Sequence, residues 1–425
     1  MNTWEQGTIL HSVKDRTIRI DRLCTEGTMG AVYDVTVEGE KRILRWFRGD
    51  RGLEALWEST REKMEAGAPS KSFFWPEDMT DFSEAGFGYV TRPEMKDGIS
   101  FHEVLRGSYT FPGRREMCNV ALNLAISFGM LHRGGFCMDL HGGDFRFSSR
   151  SGLVLFSDTE AIVPLGKKRQ VRCPIRYCAP EVLKEGSAPG VETDRYVLGI
   201  YLFSLFCRCH PLEGMRQLVP LVTPQVEREL YAENPLFLFD RENGENRPHP
   251  VIHRGVSACW NSLPGYIQDL FHRLFGQAGL ASPEDRPSEE EWIRALCRMK
   301  NDWFPCTCGQ ESLAWGLENP ACERCGKPLP RFTRLILPEY AMPVVKDRKL
   351  YRCQLGDCEW TRMLETPVRV VEDPQKPGLR LKNTSGKEWG ARTPSGAEKT
   401  VLPEELVPAM PGITLYIDGV EVRIE

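Results

Sequence analysis

The chain has 425 residues, 41% of them hydrophobic and 27% charged, with a formal net charge of -4 at pH 7. That is the make-up of an ordinary globular protein with room for two or three domains. The near-balanced charge excludes a global basic field of the kind that recruits nucleic acid or an anionic membrane.

In chain order, the opening Met1-Asn2-Thr3-Trp4-Glu5 lacks the basic-then-apolar order of a secretion signal. Thr17–Val37 alternates apolar and polar residues around a glycine-containing turn, which predicts strand–loop–strand, and Ile43–Phe47 predicts a further strand. Gly52 to Glu65 sets Leu53, Leu56, Trp57 and Met64 among charges without proline, the pattern of an amphipathic helix. Phe87–Val90 predicts a strand and Thr91–Met95 a hinge. Helices are expected over about Arg115–His132, Thr193–Cys207, Pro264–Gly276 and Ser288–Met299. The longest apolar run, Val197 to Cys207, falls short of the ~20 residues needed to cross a bilayer and predicts a buried helix. From Pro343 onward, short alternating runs predict a small β domain: Leu350–Cys353, Pro367–Val371, Leu379–Leu381, Thr414–Asp418 and Val420–Ile424.

Of the fifteen cysteines, Cys118, Cys137, Cys178 and Cys207 stand in apolar segments, where a reduced thiol behaves as a small hydrophobe. A reduced cytoplasmic setting is therefore expected. Only Cys306-x-Cys308-Gly309 and Cys322-x-x-Cys325-Gly326 form two knuckles. Four thiolates in this arrangement suit a closed tetrahedral Zn²⁺ site, which would be structural because no coordination position is left open. Cys353 and Cys358 flank a Gly-Asp turn and read as unpaired hairpin cysteines.

Four motifs carry more specific chemistry. Leu131-His132-Arg133-Gly134-Gly135-Phe136-Cys137-Met138-Asp139 leads to a second acid, Asp144, and the apolar Leu153-Val154-Leu155-Phe156 then delivers Asp158. Ala179-Pro180-Glu181 and Asp194-Arg195-Tyr196-Val197-Leu198-Gly199 follow. In this order they resemble the large lobe of the protein-kinase family, over roughly the first three hundred residues. The resemblance implies an α+β chain with a two-lobed protein-kinase fold: a smaller lobe over 1–95 and a larger lobe over 96–301. A zinc ribbon over 302–335 and a small, mostly β domain over 336–425 would follow. Leu381-Lys382-Asn383-Thr384-Ser385-Gly386 and Trp389 look faintly like a forkhead-associated domain.

The same resemblance implies ATP and Mg²⁺ as cofactors. Leu23-Cys24-Thr25-Glu26-Gly27-Thr28-Met29-Gly30-Ala31-Val32-Tyr33 keeps two of the family's three phosphate-loop glycines, Gly27 and Gly30, with Val32 beyond them. Glycine lets backbone amides approach phosphate with no side chain between. Arg45 stands where the family has a phosphate-binding lysine, with Glu58 as its expected partner and Glu62 as second choice. Asp139 matches the acid that orients the attacking hydroxyl. Asp158 and Asp144 match the metal-binding positions, Asp144 replacing an asparagine, and Glu160 replaces a glycine. Glu181 with Arg286 would brace the large lobe, and Asp194 would hold the catalytic loop's backbone.

Thr25, Arg45, Asp144 and Pro174 depart from the family at positions the reaction uses. No serine or threonine lies between Thr159 and Glu181, so activation by Ser/Thr phosphorylation of that loop is not available, and Tyr177 reads as a packing residue. Positioning and charge carry phosphoryl transfer, so these departures favour an ATP–Mg-binding pseudokinase with weak or absent Ser/Thr transfer. An active Ser/Thr kinase acting with a cognate phosphatase stays open, and a small-molecule phosphotransferase is disfavoured by Ala179-Pro180-Glu181. Gly67–Pro76, Thr193–Tyr196 and His210–Gly214 are similar to bacterial kinases of tellurite-resistance-like stress triads. That likeness implies a phosphatase or a von Willebrand A-type protein as partner, with neither nucleic acid nor membrane.

Overall fold

The computed structural model describes residues 4–27, 30–49, 52–93, 98–138, 145–167, 174–313, 321–373 and 375–425. It is a mixed α and β protein that divides into two compact units. The first comprises Met1–Thr110, Asn123–Asn261 and Asp269–Glu289; the second comprises Phe111–Leu122, Ser262–Gln268 and Glu290–Glu425. Among the described residues, no helix is long and apolar enough to cross a membrane.

The first unit begins with an antiparallel sheet of β1 (Ile9–His11), β2 (Thr17–Glu26), β3 (Gly30–Val37), β4 (Glu40–Phe47), β5 (Asp78–Met79) and β6 (Phe87–Thr91). Their order in the sheet is β1-β2-β3-β4-β6-β5. Period-two alternation decides which face each residue serves. Tyr33, Val35, Leu44, Trp46 and Val90 build one core. The other face carries Phe47, Phe87 and Tyr89, which pack with Leu53, Leu56, Trp57 and Met64 of α1 (Leu53–Ala66). Arg45, between Leu44 and Trp46, points to this α1 side, beside its cross-strand neighbour Tyr89.

The remainder of the first unit is mainly helical around Val191–Cys207, in which Tyr196 through Leu202 are essentially inaccessible. Its apolar run is thus an all-round buried helix, as its composition predicts. Short strands lie where the motifs fall. Phe136–Met138 pairs antiparallel with Ile162–Pro164, and Phe145–Ser148 pairs with both Val154–Phe156 and Gly98–Ser100. Phe74 N donates to Phe156 O at 3.0 Å and Phe156 N to Ser72 O at 2.8 Å, which ties the segment after α1 to the strand that delivers Asp158.

In the second unit, a six-stranded and a four-stranded antiparallel sheet share one core that includes Leu335, Met342, Val368, Leu381, Trp389 and Leu415. Strand Arg334–Ile336 pairs with Val420–Ile424, so residues at the end of the expected ribbon are part of the C-terminal sheet. The expected strand Leu350–Cys353 is shorter than its alternation suggests: Lys349–Leu350 is extended, and Arg352–Gln354 is a 3-10 turn. The Gln354 side chain accepts from Tyr351 N at 2.8 Å, giving the backbone a local partner that competes with the ladder. Asn383 is buried and donates to Lys387 O and Val401 O, while its oxygen accepts from Ser385. Trp389 Nε1 donates to Ser385 Oγ. Asn383 and Ser385 therefore spend their polar groups on bracing this loop against its neighbours.

Candidate functional site

The α1-facing side of β4 carries a cluster of charges. Arg45 Nη1 lies 3.2 Å from Asp158 Oδ1 and 3.4 Å from Glu160 Oε1. Residues more than a hundred positions apart thus meet at one guanidinium. Tyr89 OH donates to Glu160 Oε2 at 3.0 Å and stands 3.3 Å from Thr159 Oγ1. Side-chain exposure is 14% for Arg45, 19% for Glu160 and 38% for Asp158, so the carboxylate of Asp158 is the one that opens most to solvent. Burial works against the Arg45 charge, but the Glu160 and Asp158 carboxylates outweigh it and raise its pKa further. Burial, then Glu160, raise the Tyr89 phenol, which stays protonated.

The partner expected for Arg45 is corrected by the structure. Glu58 is an exposed residue of α1, and Glu62 pairs with Lys167 at 2.5 Å. The residue that α1 turns inward is Lys63, which is 1% exposed. Its Nζ donates to Thr159 O at 2.8 Å and Ile162 O at 3.0 Å. The buried side of α1, with Thr60 and Lys63, turns a cation toward the 157–162 segment. Glu160 supplies the counter-charge from the other side. Burial lowers the Lys63 pKa to about 8, partly offset by Glu160 and Glu62. Thr159 Oγ1 donates to Phe74 O at 3.0 Å, so the 157–162 segment is held from the sheet, from α1 and from the segment following α1.

Gly30 and Gly27 differ in what they do. A Cβ on Gly30 would lie 1.8 Å from the Trp46 carbonyl oxygen, so the close approach of β3 to β4 demands glycine there. Around Gly27 there is open space, as a phosphate approach requires. Val32 faces Arg45 across the β3–β4 ladder. Asp139 and Asp144, expected as catalytic and metal-binding acids, lie outside the described residues, as do Thr28, Met29 and Cys173.

The braces of this unit are geometrically explicit. Arg286, with a fully buried side chain, makes a two-pronged contact with Glu181 at 2.8 and 2.9 Å. It also donates to Gly279 O and Glu192 O and lies over the Tyr196 ring. Asp194 Oδ2 accepts from Met138 N at 2.6 Å and sits 2.9 Å from His132 Nε2. His132 Nδ1 is 3.2 Å from Glu289, which Arg195 also contacts at 3.2 Å. Although burial opposes the imidazolium, its two carboxylate neighbours hold the His132 pKa up at about 9. Burial pushes Asp194 up to about 6 against the pull of His132 and the Met138 amide. Burial of Glu289 is outweighed by His132 and Arg195, which bring it down to about 2. At neutral pH all three are charged, and the central cation is the reason. Tyr177 is buried against Tyr201 and His210, a packing residue as expected.

In the second unit, the sulfurs of Cys306, Cys308, Cys322 and Cys325 all lie within 4.8 Å of one another, a set that can hold one metal ion. Cys306 and Cys325 sulfurs are 3.7 Å apart and those of Cys308 and Cys322 are 3.6 Å apart. These match the ~3.8 Å edge of a tetrahedron with ~2.3 Å metal–sulfur bonds. Each knuckle turns through a glycine of positive φ, 85° at Gly309 and 68° at Gly326, whose amides bond back to Cys306 O and Cys322 O. Cys353 and Cys358 are free thiols.

No family model matches this sequence, and no curated protein matches it. Among solved structures the chain is similar to the Mycobacterium tuberculosis PknI kinase domain, at 17% identity and a TM-score of 0.44. That similarity covers 69% of this chain and 98% of the kinase-domain chain.

Proposed function

We propose that the first unit is a protein-kinase-fold signalling body that binds ATP with Mg²⁺ and has weak or absent Ser/Thr phosphotransfer. The observation that carries this reading is the convergence of Arg45 and Asp158, a sheet cation and a metal-type acid, at 3.2 Å on one side of the sheet. The Glu181–Arg286 brace and the Asp194–Met138 bond support it from the larger lobe. Asp158, the more solvent-open acid, would hold Mg²⁺ together with Asp144, since hard oxygen donors suit this ion. When bound, Mg²⁺ would neutralise phosphate charge. The chain's own part would be to receive phosphates at the open backbone near Gly27 and to orient a hydroxyl through Asp139.

The weakness of transfer is supported by the state of Arg45. Its guanidinium already faces two carboxylates, and its anchor comes from the 157–162 segment instead of α1. Phosphoryl transfer depends on placement, and a displacement of ~1 Å can cost about 100-fold in rate. The cysteine cluster is read as a structural Zn²⁺ site, and the terminal β sheets as a generic interaction or packing domain. A phosphatase or a von Willebrand A-type protein is the partner class proposed for the whole.

The test combines thermal shift with ATP and Mg²⁺ and transfer of labelled γ-phosphate to a generic protein substrate. The expected result is a raised melting temperature with trace or no label. A ligand at 100 times its dissociation constant adds ~2.7 kcal/mol, an easily read shift. Strong labelling abolished by Asp139→Ala would make the chain an active kinase. No shift at millimolar ATP–Mg would overturn the nucleotide reading.

A further inference from the structure

Glu160 is the acid in the Arg45 cluster that no sequence expectation gave a role. It accepts from Tyr89 through one carboxylate oxygen and faces Arg45 Nη1 through the other. The same nitrogen faces Asp158. The cluster therefore sets one guanidinium against two carboxylates. Lys63 interacts with Glu160 from the α1 side, but its ammonium is buried and bonded to the Thr159 and Ile162 carbonyls, so it is not presented to an arriving phosphate. Tyr89 contributes a hydrogen bond and no charge.

A polyphosphate arriving without metal meets these two carboxylates at Arg45 directly. To gain Arg45 it must displace Glu160 from the guanidinium and then tolerate a carboxylate beside its own oxygens. Like charges at such range repel strongly in a partly buried site. A metal-loaded nucleotide avoids most of the repulsion. We infer that Glu160 is a built-in counter-ion that competes with nucleotide phosphate for Arg45, so that the cleft selects the magnesium complex of a nucleotide and discriminates against the metal-free form. This deepens the nucleotide reading above and rests on it. Glu160 acts here through Arg45 and is an affinity-setting residue, not a catalytic one.

The experiment is calorimetric titration of the full chain with ATP in the presence of Mg²⁺, and again with Mg²⁺ omitted. No chelator is added, so that the cysteine cluster is left undisturbed. Glu160→Gln keeps an oxygen to accept from Arg45 and an amide to meet Tyr89, removing charge while preserving shape. Glu160→Ala removes the same charge with no polar group to misplace and covers the case in which the glutamine variant fails to fold. For wild type, metal-free ATP should bind at least about tenfold more weakly than ATP–Mg. Glu160→Gln should tighten metal-free ATP by about tenfold, with a smaller gain for ATP–Mg. In Arg45→Gln/Glu160→Gln the gain should vanish, a coupling that a merely structural role for Glu160 would not produce.

Wild type binding ATP–Mg, with Glu160→Gln and Glu160→Ala unchanged or weaker toward metal-free ATP, overturns the inference and leaves the nucleotide reading standing. A gain that persists without Arg45 also overturns it. A wild type that is silent while Glu160→Gln binds supports the inference and overturns nucleotide binding by the native chain. Silence from wild type and both Glu160 variants overturns both.

Discussion

Raising the pH from 6.5 to 8 should weaken the first unit through His132, and the size of the effect follows from its surroundings. The imidazole is held between Asp194 and Glu289, with Arg195 on the far side of Glu289. Its folded-state pKa of about 9 stands above the ordinary 6.5. Below pH 6.5 the folded and unfolded chains both carry the proton, and the stabilisation is complete. Between 6.5 and 9 the unfolded chain releases it while the folded chain keeps it, so stability falls as pH rises. At ~1.36 kcal/mol per unit, the interval from 6.5 to 8 removes about 2 kcal/mol. Glu289, with a folded value of about 2, is ionised throughout, and Asp194, at about 6, completes its ionisation at the lower end of the interval. His210, which burial lowers to about 4, gains stability with rising pH only up to 6.5. Lys63, at about 8, adds stability above pH 8 as the unfolded chain binds the extra proton. Urea unfolding followed by tryptophan fluorescence, for wild type and His132→Gln across this range, isolates the histidine. The stability gap between the two should narrow by about 2 kcal/mol from pH 6.5 to 8. A gap that stays constant over that interval would refute the charged-triad argument.

Arg286→Met should destabilise the first unit by about 3 kcal/mol in chemical denaturation, because Glu181 is left partly buried without its partner. Adding Glu181→Leu should return part of that loss. Purified protein should carry a single zinc ion per chain by elemental analysis, and Cys322→Ser or chelation should release it and lower the melting temperature of the second unit. Gly30→Ala should cost about 1–3 kcal/mol or more whether or not ATP is present, since the obstacle is the Trp46 carbonyl and not a phosphate. An ATP-dependent loss alone would assign that glycine to the nucleotide instead.

Local pattern made much of the architecture legible. Alternation in Gly30–Val37 and the stripe of Leu53, Leu56, Trp57 and Met64 report which face is buried, and the structure uses those faces. The Glu181–Arg286 and Asp194–Met138 contacts were reachable because motif order fixes which distant segments meet. Arg45 meets Asp158 and Glu160, whereas the sequence points to Glu58 or Glu62 as its partner. Glu58 and Glu62 were attractive as acids of the nearby helix, but a helix exposes some of its charges, and only the rotation of α1 tells which. The useful signal was Lys63, a cation at the same spacing as the apolar stripe. A charge in that register must find acceptors in the interior, and here they are backbone carbonyls of the 157–162 segment. His132 with Glu289 was invisible for a different reason: nothing local links a helix end to a second helix start far along the chain. The short strand at Lys349–Leu350 failed to extend because a side-chain amide offered the backbone a closer partner.

The fastening of α1 by Lys63 limits how this protein can be controlled. Swinging the helix outward would carry the Lys63 ammonium away and leave the Thr159 and Ile162 carbonyls without their donor, at about 1–3 kcal/mol for each one that stays buried. The helix is a rivet where a lever would have been convenient. A change that leaves α1 in place keeps both bonds and so costs this molecule less than one that moves the helix.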